Sequence, residues 1–314
     1  MRAAFIEKLI QLAGKDPRIQ LLTADLGYMA LEPFARAHPD KFLNVGVAEQ
    51  NMVGIATGMA ESGYIPFVYS IATFASMRAY EFIRNGPLMH RLPVRIVGIG
   101  GGFEYSHNGL THFALEDIAL MRAQPALHVV APADRLQTGT VLEATWNMPG
   151  PVYYRLGKDD LTVIPALDGR YETGEIQVVR EGADCLLLSL GAISSQADSA
   201  AQLLAGDGIN CTHGIVASIN PAPAAALAHL FERFRCCITV EAHYAHGGLF
   251  SMAAEVIAAN GLPCRLHRCA VEQMPDGETG DLAYMHERHG LSSQLIAAKV
   301  RQVLNKLEVS CKAR

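Results

Sequence analysis

A single carboxylate, Glu49, lies among apolar and small residues in the segment VGVAEQNMVGIATGMA, residues 45–60. Glutamate is usually a solvated surface residue. Here a strand-like run precedes it and a helix-like run follows, so the pattern predicts a carboxyl group at the junction of two buried elements. A carboxyl group in a dry site can share a proton with a ligand. The alternative is a structural acid that the helix dipole favours at a helix N-terminus.

The helix after Glu49 carries one apolar stripe at helical spacing. Its members are Met52, Ile55, Ala56, Met59 and Ala60. Gly54 and Gly58 lie on another face, and a glycine inside a helix costs about 1 kcal/mol relative to alanine. Such glycines are tolerated where another backbone approaches closely. The pattern therefore predicts a helix that is buried on more than one side.

Strand-like and helix-like segments alternate along the whole chain. The predicted strands are Ile19–Thr23, Phe42–Val47, Ile65–Tyr69, Val94–Ile99, Leu127–Ala131, Val152–Arg155, Cys185–Leu190, Cys211–Val216, Cys236–Glu241 and Cys264–His267. The predicted helices include Gln50–Ser62, Thr73–His90, Asp134–Asn147, Ser195–Leu204, Ala222–Phe234, Gly248–Ala259 and Ser292–Leu307. This alternation predicts parallel sheets with helices on both faces.

A segment richer in charges and turns interrupts the alternation. We therefore predict an α/β fold of two doubly wound domains, residues 1–165 and 183–314, joined by a linker at 166–182. With 314 residues the chain is long enough for two cores.

Composition narrows the class of partner. Half of the residues are hydrophobic, 18% are charged, and the formal net charge is -5 with both signs mixed along the chain. This balance favours neither nucleic acid nor an anionic membrane, and no run approaches the roughly 20 apolar residues of a membrane span. The N-terminal residues resemble an amphipathic helix more than a signal peptide. We expect a cytoplasmic protein.

The seven cysteines include no CxxC pair. An odd number without pairing motifs is typical of a reduced, intracellular protein. Cys264, His267 and Cys269 could be read as metal ligands, but the same run predicts a buried strand and no second ligand pair stands nearby. We predict no metal site within this chain.

Four blocks in order give the chain a family resemblance. They are TADLGYM (23–29), the Glu49 segment, FVYSIATFASMRAYEFIRN (67–85) and NGLTHFALEDIALMRAQPALHVVAPAD (108–134). Together they resemble the transketolase family of thiamine diphosphate enzymes. ITVEAHYAHGGLFSMAAEVIA (238–258) is similar to the C-terminal domain of that family, so the resemblance covers nearly the whole chain. The fold it implies is a pyrimidine-binding domain followed by a transketolase C-terminal domain.

The resemblance implies a role for each matching residue. Glu49 would hydrogen-bond N1′ of the aminopyrimidine of thiamine diphosphate and so help to activate the cofactor. Phe74 would stack on that ring, Ile71 stands where a second aromatic residue is common, and Asp25 matches an acid that lines the cofactor cleft. The substrate-binding matches are Asn108, which replaces a usual aspartate, His112, which would also act in catalysis beside the reacting carbons, and Arg155, which would grip the phosphate end of a sugar.

Two departures concern the substrate phosphate. The run Gly98–Gly102 stands where many transketolases have a phosphate-binding histidine, and Met29 replaces a serine of the same pocket. The glycines could offer backbone N–H groups to an anion or could simply make room. Either way, an ordinary pentose phosphate is an unexpected substrate.

The family's diphosphate-binding domain, with its GDG motif and downstream asparagine, is missing. Gly206-Asp207-Gly208 falls between a helix and a strand in the second domain and predicts only a turn. The chain therefore resembles the C-terminal subunit of a split transketolase. We expect an N-terminal partner that carries GDG and the asparagine and holds Mg²⁺ or another divalent metal, with an α2β2 heterotetramer as the assembly.

The leading functional hypothesis is a transketolase-type transferase of carbohydrate metabolism that moves a two-carbon ketol unit from a ketose to an aldehyde. Two related alternatives stay open: a 2-oxoacid dehydrogenase E1 beta-type subunit and a condensing enzyme similar to deoxyxylulose-phosphate synthase. A non-catalytic partner subunit is the alternative of another class.

Overall fold

A computed structural model describes residues 1–312, with side chains described for residues 1–307. Its helices are α1 (Arg2–Lys15), α2 (Glu32–Ala37), α3 (Glu49–Glu61), α4 (Tyr80–Ile83), α5 (Asp117–Arg122), α6 (Arg135–Thr145), α7 (Ser194–Gly206), α8 (Ala224–Arg233), α9 (Leu249–Asn260), α10 (Leu282–Arg288) and α11 (Ser293–Lys312). Its strands are β1 (Ile19–Thr23), β2 (Phe42–Asn44), β3 (Ile65–Ile71), β4 (Arg95–Ile99), β5 (His128–Val130), β6 (Val152–Leu156), β7 (Gln177–Arg180), β8 (Cys185–Leu190), β9 (Cys211–Ile215), β10 (Ser218–Asn220), β11 (Cys236–Tyr244) and β12 (Arg265–Val271).

The first sheet has seven strands in the order β10-β5-β6-β4-β3-β1-β2. All of its pairs are parallel except β10 with β5. Every residue of β3, β4 and β6 is buried, as expected for central strands that helices cover on both faces. The carboxyl ends of β1, β3, β4 and β6 therefore meet at one edge, where ligands bind in open α/β sheets.

The second sheet has five strands in the order β12-β11-β8-β9-β7. Its only antiparallel pair among the described strands is β7 with β9. Strand β7 falls in the range 166–182, so part of the predicted linker forms an edge of this sheet. The two α/β sheets confirm the predicted fold class.

One strand crosses between the two halves. Strand β10 follows β9 in the chain, yet it pairs with β5 of the first sheet, with Ser218 opposite Val130. A single apolar cluster also includes side chains from both halves, such as Leu22, Val68, Leu188 and Phe231. The halves therefore share both a sheet edge and a core.

Two local features differ in detail from the expectation. The predicted helix over Thr73–His90 is three short pieces: α4 lies between two π-helical turns, Phe74–Arg78 and Arg84–Leu88, with Pro87 inside the second. A proline lacks the N–H that a continuous helix needs. The glycine face of α3 is left open by the described part of the chain, because a Cβ at Gly54 or Gly58 would meet none of its atoms within 4 Å.

Among the residues that the structure describes, no helix is both long and apolar enough to span a lipid bilayer.

Candidate functional site

Glu49 is the first residue of α3, and its side chain is fully buried, with 0% exposure. The Ser70 hydroxyl at the end of β3 donates to Oε1 over 3.1 Å, and Arg78 Nη1 donates to Oε2 over 2.7 Å. The predicted burial is thus correct. The helix N-terminus favours the carboxylate, but the side chain also has two specific partners at the carboxyl edge of the sheet.

The π-helical turn Phe74–Arg78 brings Arg78, which the sequence did not predict, into contact with the predicted site residue Phe74, which in turn contacts His112. The Phe74 ring lies edge-on to the His112 ring, with 5.2 Å between their centroids. On Phe74 also lies the guanidinium of Arg78, with Cζ 4.2 Å from the ring centroid. Because Arg78 also binds Glu49, one guanidinium contacts both Glu49 and Phe74, and His112 lies on the Phe74 ring. Turns of π type are frequent at functional sites.

Asp25 lies at the same edge, just after β1, in the left-handed region with φ 57°. Asn44, at the end of β2, donates its side-chain amide to Asp25 Oδ1 over 2.8 Å. The Asn44 oxygen accepts from the backbone N–H groups of Asp25 and Gly46, at 3.1 and 3.0 Å. This exchange fixes the loop that leads into Glu49, so Asp25 is exposed but held in place.

Ile71 and Asn108 occupy contrasting environments. Ile71 is the last residue of β3 and is 6% exposed, so its side chain is buried at the carboxyl edge of the first sheet. Asn108 is exposed in the short 3-10 turn Ser106–Asn108. The neighbouring turn Leu110–His112 carries His112, whose Nδ1 lies 2.9 Å from the Thr111 hydroxyl.

The glycine run after β4 makes room for other groups. A Cβ at Gly101 would fall 2.6 Å from Cζ of Arg155, and a Cβ at Gly102 would fall 2.7 Å from Cβ of Ala242. The N–H groups of Gly100 and Gly102 donate to the carbonyls of Leu156 and Ala114, both over 2.8 Å. Of the two interpretations, close approach is therefore the one that these contacts favour, since two of the amides are already used.

Arg155 lies in a buried network between the halves and is 6% exposed. Its Nε donates to Asp117 Oδ2 over 2.9 Å, and its Nη2 donates to the carbonyls of Ala114 and Ala242, both over 2.9 Å. Tyr153 donates to the same Asp117 oxygen over 2.8 Å. No contact here supports the predicted phosphate-binding role: the guanidinium links the first domain to the backbone of β11.

His243 is a second buried link between the halves. Its Nε2 accepts from the Ala119 N–H of α5 over 3.3 Å, and its Nδ1 lies 2.8 Å from the Tyr244 carbonyl, to which it donates. Both contacts suit the neutral ring, and burial lowers the pKa of His243 to about 4. Nearby, burial raises the pKa of Glu241 to about 7, against the pull of two backbone N–H donors, those of Phe250 and Leu249.

These shifts predict opposite pH effects on the free energy of unfolding. His243 binds its proton more weakly in the folded chain, so the stability it confers is present above pH 6.5 and is lost as the pH falls towards 4. Glu241 binds its proton more tightly in the folded chain, so the stability it confers is present below pH 4.5 and is lost as the pH rises towards 7. Wild type should lose roughly 3 kcal/mol of its free energy of unfolding through His243 between pH 6.5 and 4, and we expect His243→Gln to abolish that loss. Urea unfolding at several pH values measures this.

The exposed His246 provides the matched control. His246→Gln should follow the wild-type pH profile. Equal profiles for wild type and His243→Gln between pH 6.5 and 4 would contradict the assignment.

The GDG sequence of the second domain is a turn, as predicted. Gly208 follows α7 with φ 80°, and Asp207 accepts from Arg301 Nε over 2.8 Å. Over the part of the chain whose side chains are described, no group of three or more His, Cys, Asp or Glu side chains could hold a metal ion. The six cysteines in that part are free and buried.

Sequence reasoning missed Ser70, Arg78 and Asn44. Only Asn44 had a usable signal, a polar amide at the end of a strand that faces an acid at the end of the neighbouring strand. Ser70 and Arg78 lie 21 and 29 residues from Glu49, and no spacing rule connects them to it.

The fold and the site define a two-domain α/β protein with a buried acid and an aromatic ring at the carboxyl edge of its first sheet. Residues 1–163 match the family described as "Transketolase, pyrimidine binding domain", and residues 174–310 match "Transketolase, C-terminal domain". The chain belongs to the transketolase family.

Sequence similarity to known proteins extends over nearly the full length of the chain. The chain is 34% identical to a "Putative transketolase C-terminal section" of Methanocaldococcus jannaschii, over 98% of this chain and 96% of that protein. It is 33% identical to a 6-deoxy-6-sulfo-D-fructose transketolase subunit of Clostridium sp. (strain MSTE9), over 96% and 94% of the two chains. A solved structure described as "Split gene transketolase, inactive beta4 tetramer" has a TM-score of 0.85 and 33% identity, covering 97% of each chain.

Proposed function

We propose that this chain is the C-terminal subunit of a split, thiamine diphosphate-dependent transketolase. The assembled enzyme transfers a two-carbon ketol unit from a ketose to an aldehyde. The observation that carries the proposal is the fully buried Glu49 side chain, which shares the Arg78 guanidinium with the Phe74 ring, in a chain that matches both family domains.

The residues present fit the aminopyrimidine half of the cofactor. Glu49 offers a carboxyl group that is screened from water and can share a proton with a ring nitrogen, and Phe74 offers an aromatic face. Ile71 and Asp25 lie at the carboxyl ends of the adjacent strands β3 and β1, on the same edge of the sheet. When bound, thiamine diphosphate supplies the carbon nucleophile of the reaction.

His112 and Asn108 are the candidates for contact with the substrate. The His112 ring touches Phe74 and is half-buried, so it can donate to or accept from a hydroxyl next to the cofactor. Asn108 is exposed one short turn away. Among the described residues, His112 contacts Thr111, Phe74 and Tyr105, and the Asn108 side chain has no hydrogen-bond partner.

A partner subunit would supply the rest of the site. The described side chains include no cluster for a divalent metal, so the diphosphate and Mg²⁺ fall to an N-terminal subunit with GDG and asparagine, in an α2β2 assembly. The open glycine face of α3 and exposed apolar side chains near the site support an association surface. Those side chains are Tyr28, Met29, Val47, Phe82 and Met89.

The substrate is proposed to be a sugar or keto compound whose distal end differs from that of a common pentose phosphate. Met29 is 95% exposed at the position where the family has a polar phosphate ligand. Gly101 and Gly102 pack closely against Arg155 and Ala242. The Arg155 guanidinium is bound to Asp117 and to two backbone carbonyls. The name of the Clostridium relative gives its substrate a sulfonated end, which supports an altered anion pocket here.

Reconstitution tests the proposal. The chain alone should bind thiamine diphosphate and Mg²⁺ weakly, and addition of the companion subunit should restore tight binding and ketol transfer. Calorimetric titration measures the first and a coupled assay the second. A panel of phosphorylated, sulfonated and unmodified ketoses compares the distal ends.

Three outcomes would overturn the proposal. Tight cofactor binding by the chain alone would contradict the split site. Release of labelled carbon dioxide from pyruvate or a branched 2-oxoacid without ketol transfer would favour the E1 beta-type or condensing alternatives. A complex in which Glu49 is dispensable would favour a non-catalytic subunit.

A further inference from the structure

Arg78 touches both residues that would hold the cofactor ring. Its Nη1 donates to Oε2 of Glu49 over 2.7 Å, and its Cζ lies 4.2 Å from the centre of the Phe74 ring. The Glu49 side chain is fully buried, whereas the Arg78 side chain is 38% exposed. The guanidinium therefore lies at the mouth of the site, between the acid and solvent.

These two contacts are the same in kind as those expected of an aminopyrimidine. That ring would place a nitrogen on the Glu49 carboxyl group and its flat face on Phe74. A guanidinium is also planar, presents N–H donors in its plane and stacks on aromatic rings. One planar group fills such a place, so the guanidinium and the ring cannot make these contacts together.

We propose that Arg78 is a gate. In the free subunit its side chain occupies the position that the aminopyrimidine would take on Glu49 and Phe74, and it rotates away when the cofactor binds. The proposal rests on the proposed function and adds a regulation of the same site. Its effect is to keep a buried acid paired with a cation until the partner subunit and cofactor are present. An unpaired buried charge would otherwise destabilise the chain.

The local fold permits this motion. Arg78 is the last residue of the π-helical turn that begins at Phe74, and its side chain reaches Glu49 from the solvent side. Release needs only rotation of an arginine side chain, while Phe74 and Glu49 stay on their backbone elements. Ser70 continues to donate to the other oxygen of Glu49, so the acid keeps its orientation.

A gate of this kind reduces the apparent affinity for the cofactor, because the competent state is only a fraction of the population. In the reconstituted complex, Arg78→Gln should bind thiamine diphosphate tenfold to a hundredfold more tightly than wild type, roughly the range of one charge-assisted hydrogen bond. The association rate should rise by a similar factor. Calorimetry and stopped-flow mixing in the presence of Mg²⁺ measure the two quantities.

Arg84 is the matched control, since it is exposed, starts the next π-helical turn and donates only to its neighbour Asn85 among the described contacts. Arg84→Gln should leave both values unchanged. Unchanged or weaker binding by an Arg78→Gln complex that assembles normally would overturn the gate, and weaker binding would make Arg78 a cofactor ligand.

Nuclear magnetic resonance of the wild-type complex gives a second readout that requires no variant in the measured sample. Stacking on Phe74 should shift the Arg78 Nε–H signal, and titration with thiamine diphosphate should remove that shift. A signal that keeps its shift while the cofactor binds would overturn the gate and leave the proposed function intact. A wild-type complex that binds no thiamine diphosphate would overturn both.

Discussion

Glu49→Gln should remove nearly all turnover from the reconstituted enzyme, with a loss in kcat on the order of 10²–10⁴-fold. The amide preserves the shape of the side chain but cannot share a proton with the ring nitrogen of the cofactor. The fold should tolerate the change: Ser70 can still donate to the amide oxygen, and Arg78, at 38% exposure, remains partly solvated. Steady-state kinetics and exchange of the cofactor C2–H in the complex measure the effect.

Glu61 offers a matched control on the same helix. It is the last residue of α3 and is exposed, so Glu61→Gln changes the same functional group far from the site. Its kcat should stay within a factor of two or so of wild type. Wild-type C2–H exchange in the Glu49→Gln complex would reduce Glu49 to a structural helix acid.

Arg155→Met should destabilise the chain by about 3–5 kcal/mol, the range for breaking a buried ion pair on one side. Among the described contacts, the change leaves the Asp117 carboxylate, 0% exposed, with the Tyr153 hydroxyl as its one side-chain donor. It also leaves the carbonyls of Ala114 and Ala242 without their shared donor. Urea unfolding followed by circular dichroism gives the difference.

Two further variants show whether charge burial is the cause. Adding Asp117→Asn to Arg155→Met should recover part of the loss, because the uncompensated charge is gone. Arg301→Met breaks an exposed pair with Asp207 and should change stability by about 1 kcal/mol or less. A stable Arg155→Met chain whose complex shows a raised KM for phosphorylated substrates alone would restore the phosphate-binding interpretation.

Periodicity and local composition predicted much of the fold. Continuous apolar runs such as β3 and β8 locate central strands, because both of their faces are covered. The apolar surroundings of Glu49 likewise predicted its burial. The short β10 escaped notice since three residues, Ser-Ile-Asn, carry no period, and its pairing with β5 depends on how the two halves meet.

The site was less accessible to sequence reasoning. Arg78, one of the two partners of Glu49, lies on a π-helical turn, and the one-residue insertion that such a turn represents changes which side chains face inward. Arg155 was predicted to grip a substrate phosphate because its position matches an arginine of the family. Its burial comes from β11 of the other half, whose Ala242 carbonyl covers it, and no local pattern records that contact.

The crossing of β10 to the first sheet has a consequence for how this polypeptide can be divided. A fragment that stops near residue 165 would leave one edge of β5 without its neighbour, and an unpaired strand edge is a template for association with other chains. A fragment that starts near residue 183 would carry β10 with nothing to pair with. The two domains are therefore expected to be kept together in evolution, because recombination or truncation at their boundary would separate β10 from β5, two paired strands of one sheet.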